Sequence, residues 1–127
     1  MPRFGDTSDA VRGRVPGVLA CWSETRDTVL RGGIVEPELK ELCARFLADE
    51  PVDHGALGER ERAALDWTVA IAFDADRADD GLWQRLHANF SEPELVELGY
   101  AIAFTNGQQH WLRTLGFGPE IPQAASS

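Results

Sequence analysis

Residues 91–116, SEPELVELGYAIAFTNGQQHWLRTLG, constrain the chain more than any other stretch. Ser91 with Glu94 three residues on is a capping box, each side chain taking an orphan N–H of a first helical turn. Pro93 sits in that turn, where its missing N–H costs nothing. Gly116 is placed for a left-handed C-cap. From Leu95 to Phe104 the stretch is apolar nearly all round, with Glu97 its one charge. A helix apolar on every side is expected to be buried on every side. Thr105, Asn106, Gln108, Gln109 and His110 then form a polar block before Trp111 and Leu112 restore the apolar pattern. Polar groups in a buried helix need partners, or they mark a site.

The chain around it reads as helical throughout. Val18, Leu19, Trp22, Thr25, Val29 and Leu30 recur at the helical period, predicting one helix over 16–31 that Gly32 and Gly33 end. Pro37 opens the next helix, whose apolar face is Leu39, Leu42, Cys43, Phe46 and Leu47. A connector, DEPVDHGAL, precedes a third helix over 59–74 with Ala63, Ala64, Trp67, Val69, Ala70 and Ala72 inward. Asp79 or Asp80 caps a short helix over 81–89, and Asp9 to Arg14 could form a helical turn. No alternation of strand period occurs. The expected fold is all-α, a compact bundle of about five helices. Residues 1–15 are expected to form a loose arm, 16–118 a single domain, and 119–127 a disordered tail.

Charge narrows the function classes. With 12 basic and 21 acidic residues the net charge is −9, which argues against nucleic acid and against anionic membrane surfaces. No apolar run reaches the roughly 20 residues of a membrane span, and the first residues lack the apolar core of a signal peptide. Cys21 and Cys43 have no C-x-x-C spacing and read as buried thiols in a reducing cytoplasm, a disulfide between them being the lesser alternative. The acidic residues Glu36, Glu38, Glu41, Asp49, Glu50 and Asp53 show no metal-ligand spacing and read as a solvated face; no metal and no cofactor is assigned.

Three segments carry a resemblance. Leu30-Arg31-Gly32-Gly33-Ile34-Val35-x-Pro37-x-Leu39-Lys40-Glu41-Leu42, then Glu61-Arg62-x-Ala64-Leu65, then Asp79-Asp80-x-Leu82-Trp83 with His87-x-x-Phe90-Ser91-x-x-Glu94-Leu95-Val96-Glu97-Leu98 follow in order. Together they resemble the carboxymuconolactone decarboxylase family, which includes the AhpD-type alkyl hydroperoxidases, over about residues 16–116. The resemblance implies an all-helical fold, a cytoplasmic location and homo-oligomers whose helices pack between subunits. The peroxidase members carry a C-x-x-C-x-x-x-H helix whose thiols perform the redox cycle. Here DEPVDHGALG stands in its place, and the family's cysteine positions fall on Asp53 and Ala56. Peroxidase chemistry is therefore not carried over. With that helix gone, a homodimer covering exposed helix faces is expected instead of a larger assembly.

The remaining chemistry-bearing residues define the expected site. Asn106 and Gln109 would orient a small organic substrate, with His110 as acid or base; the alternative is a His110 capped by a carboxylate at the bundle edge. Glu41 matches the family's proton-relay glutamate and borders its helix's apolar face, so it is the second acid–base candidate. It could equally lie in solvent. His54, beside Asp53 in the connector, could reach a vacated pocket or simply be solvated. His87 reads as structural packing near Trp83 and Phe90. Trp22, Trp67, Trp83 and Trp111 read first as core or interface residues and second as a cluster around an aromatic ligand, Trp111 adjoining the polar block. Two function classes lead, with a thiol-dependent alkyl hydroperoxidase a third that the missing C-x-x-C argues against. One is a cofactor-independent decarboxylase, lyase or isomerase; the other is a non-catalytic small-molecule-binding or assembly protein that kept the fold.

Overall fold

The computed structural model describes residues 3–122. Among them there is no strand, and six α-helices are present where about five were expected. They are α1 (Ser8–Arg12), α2 (Pro16–Thr25), α3 (Pro37–Leu47), α4 (Glu59–Phe73), α5 (Asp80–Asn89) and α6 (Glu92–Thr114). None is long and apolar enough to cross a membrane.

Local chemistry sets most boundaries. Ser91 and Glu94 form the expected capping box at the start of α6. Asp79 accepts from the Leu82 N–H at the start of α5, and Pro16 and Pro37 open α2 and α3. Gly116 adopts φ +87°, the left-handed conformation that glycine enters without penalty. The helix expected over 16–31 is not uniform. Its last part, Arg26–Leu30, widens into a π-helical turn closed by the Arg31 N–H on the Arg26 carbonyl.

The core is centred on α4 rather than on α6. Helix α4 packs against α3, α5 and α6; its Leu65 is buried, and so are Ala63, Ala64 and Ala70, small side chains that let the neighbouring helices approach. Leu39, Cys43, Leu47, Leu82, Leu86, Leu95, Leu98 and Ile102 complete this core. A second cluster of Trp22, Leu30 and Ala101 joins α2 and the π-helical turn to α6.

Two charged residues are built into the packing. Lys40, 5% exposed, donates to the carbonyls of Val29 and Gly32 (2.6 Å for Gly32) and to Glu97 at 3.2 Å. Glu97 in turn accepts from the N–H groups of Ile34 and Val35, so one pair pins the Gly32–Gly33 turn between α3 and α6. Arg12, 1% exposed, lies over the Trp22 ring at 3.8 Å and donates to Asp9, Gln108 and Glu120. The segment expected as a loose arm thus carries a helix whose arginine is buried against α2, α6 and residue 120. Of the expected tail, residues 123–127 lie outside the described residues.

Candidate functional site

The polar block of α6 is largely spent on architecture. Gln109 is buried and donates to the Ala44 carbonyl at 3.0 Å, tying α6 to α3. Gln108 accepts from Arg12 at 2.9 Å. Thr105 is buried and Asn106 half-buried, whereas His110 and Trp111 are exposed. Glu41, half-buried on α3, accepts from Arg45 one turn on at 2.9 Å. His54 is exposed in a short 3₁₀ turn, where its carbonyl accepts from Arg62. No hydrogen bond among the described residues joins His110 to Glu41, His54 or Asn106. Gly107, whose place inside a helix suggests close packing of another helix or a ligand, has no neighbour within 4 Å of where a Cβ would stand.

Nor is α6 buried all round. Val96 is 74% exposed and Tyr100 55% exposed, and Ala103, Gly107 and Trp111 continue that face. These residues recur at three or four and form one stripe. The opposite side of α6 is buried through Leu95, Leu98, Ala101, Ile102, Thr105, Gln109 and Leu112. Apolar composition on both sides of a helix does not say which side the chain itself covers.

Beside that stripe α4, α5 and α6 enclose a groove of about 450 Å³. Its walls are Trp67, Trp83, Leu95, Val96 and Gly99, with His87 and Glu92 as the polar members. The Trp67 and Trp83 rings meet edge to face with centroids 5.5 Å apart, and the His87 ring lies 5.8 Å from Trp83. Gly99 is required by this packing. A Cβ there would stand 2.7 Å from the Trp67 ring, so the backbone of α6 itself seals the groove beside that indole. Aromatic surfaces with a few polar groups at the rim are what recognition of a flat, mainly apolar molecule needs. His87, read from sequence as packing, is exposed and stands over Trp83. The usable signals in the sequence were the four tryptophans and a glycine inside an apolar helix.

The two cysteines are both free and differently placed. Cys43 is buried, and loss of hydration pushes its thiol up to about 11, with a contact to Thr68 opposing the shift. Cys21, expected to be buried, is exposed. No group of three or more histidine, cysteine or acidic side chains among the described residues is arranged to hold a metal ion. No protein-family model, curated protein or solved structure matches the chain.

Proposed function

We propose that the chain is a carboxymuconolactone decarboxylase-like helical protein that binds a small, flat, apolar molecule in the groove between α4, α5 and α6. The observation that carries this reading is the paired Trp67 and Trp83 rings walling an open groove of about 450 Å³. Two tryptophans offer a ligand large apolar area at low entropic cost, and His87 and Glu92 can orient one polar edge. The protein acts as a homodimer through the exposed face of α6. Ala103 and Gly107 lie four residues apart on it and let a second helix approach closely. Val96 belongs to both the groove and this face, so a second copy would also roof the groove.

The enzymatic reading, a lyase or isomerase with His110 and Glu41 as acid and base, draws on one placement. His110 lies on the same exposed side of α6, where a second copy would cover it. Calorimetric titration with indole as the probe separates the two readings. In the binding reading Trp83→Leu and His87→Ala each weaken indole by at least about fivefold, roughly 1 kcal/mol, while His110→Ala leaves it unchanged. Binding that survives both groove substitutions and fails in His110→Ala would favour the enzymatic site.

A further inference from the structure

The π-helical turn borders a separate cleft of about 170 Å³. Its cationic wall is Arg26 and Arg31, the two ends of the closing hydrogen bond of that turn. Widening a helix by one residue per turn is energetically unfavourable, and such turns recur at functional positions. Trp22, one turn before Arg26, completes this wall. The facing wall is Asp9 from α1 and Glu120 from the C-terminal segment.

Two donors here have no partner. The Trp22 Nε1–H and the Arg31 Nε–H are both buried without an acceptor, although Trp22 is only 5% exposed. A buried donor left unpaired costs about 1–3 kcal/mol, so a chain that leaves two beside one cleft gains from an acceptor there. The charges around the cleft are already matched in part. Arg26 donates to Asp27 at 3.0 Å, Asp9 spends one oxygen on Arg12 at 3.2 Å, and Glu120 spends one on Arg12 at 3.0 Å and the other on the Ser8 hydroxyl at 2.5 Å, where each oxygen keeps a second lone pair. A bare anion would face both acids, and a bare cation both arginines. A small molecule carrying both signs suits the two walls.

We propose that this cleft binds a small zwitterion of the α-amino acid class. Its carboxylate accepts from Arg31 and the Trp22 indole, and its ammonium faces Asp9 and Glu120. About 30 Å³ is the share of one water in the liquid, so the cleft displaces only a few waters and admits glycine or alanine more readily than an aromatic amino acid. Both unpaired donors are closed to water in the described conformation, so binding requires a local adjustment around Trp22 and Arg31, whose side chain is 39% exposed.

Calorimetric titration of the intact chain with L-alanine, glycine, acetate and methylammonium tests this. L-alanine or glycine should bind saturably, at least about tenfold tighter than acetate or methylammonium, the ratio of one charge-assisted hydrogen bond. Arg31→Gln and Trp22→Phe should each reduce amino-acid binding by a similar factor, with thermal melts confirming that both variants fold. If Trp22→Phe does not fold, Arg31→Gln alone decides, because Arg31 lies outside the core clusters. Acetate binding as tightly as alanine, no saturable binding of either amino acid, or undiminished binding in Arg31→Gln would overturn the proposal.

Discussion

Gly33 and Asp49 adopt the same left-handed backbone, at φ +85° and +63°, for opposite reasons. At Gly33 the conformation is needed, because a Cβ would run into the Glu97 carboxylate that holds the Ile34 and Val35 N–H groups. Gly33→Ala should cost about 1–2 kcal/mol from the backbone alone, and more once Glu97 is displaced. Asp49, exposed after the end of α3, pays a similar conformational cost to close that helix, its N–H on the Phe46 carbonyl and the Glu50 N–H on the Arg45 carbonyl, backbone bonds that a glycine would keep. Asp49→Gly should therefore stabilise by roughly 0.5 kcal/mol. Urea unfolding of both variants checks the opposite signs. The thiols give a second test at this scale. Cys21 should react with a thiol reagent in the native protein, whereas Cys43, its thiolate form disfavoured by burial, should react only on unfolding. Prompt labelling of Cys43 in the native state would contradict its placement.

Between elements, the Lys40–Glu97 pair is the most consequential contact. It links α3, α6 and the loop after the π-helical turn with both charges largely out of water. Removing one partner strands the other, so Glu97→Ala should cost about 3–5 kcal/mol. Burial alone would raise the Glu97 carboxyl, but the N–H groups of Val35 and Ile34 and the Lys40 ammonium outweigh it and hold it below its ordinary value of 4.5. A depressed folded pKa means the stabilisation is full above that ordinary value and is lost as pH falls through the folded one. Urea midpoints across that range should therefore fall more steeply in the wild type than in Glu97→Gln; parallel curves would contradict the assignment. At this scale much was legible in the sequence. Ser91, Asp79, Pro37 and Gly116 mark helix ends because capping is local chemistry. The π-helical turn was not legible, since residues 26–30 fit an ordinary helical period equally well. The partners of Gln108 and Gln109 lie far away in sequence, on Arg12 and Ala44.

For the molecule as a whole, the exposed face of α6 is the unfinished part. Placing a charge there by Tyr100→Glu should convert a dimer to a monomer in sedimentation, with little loss of monomer stability because Tyr100 is already 55% exposed. A wild type that is monomeric at all concentrations would remove the second copy from the proposal. The groove shows why the candidate site was less legible than the fold. Trp67, Trp83, His87 and Val96 come from three helices, and only tertiary packing brings them together. Titratable residues such as His110 and Glu41 stand out in a sequence, yet Glu41 is held by Arg45 and His110 faces outward. The most direct measurement is an indole titration of the ¹⁵N-labelled protein followed by NMR. Saturable shifts should centre on the Trp67 and Trp83 indole N–H signals and on the His87 and Gly99 amides, leaving Glu41 and His54 unmoved. Shifts centred on Asn106, His110 and Glu41, or no saturable shift in the groove, would contradict the proposed function.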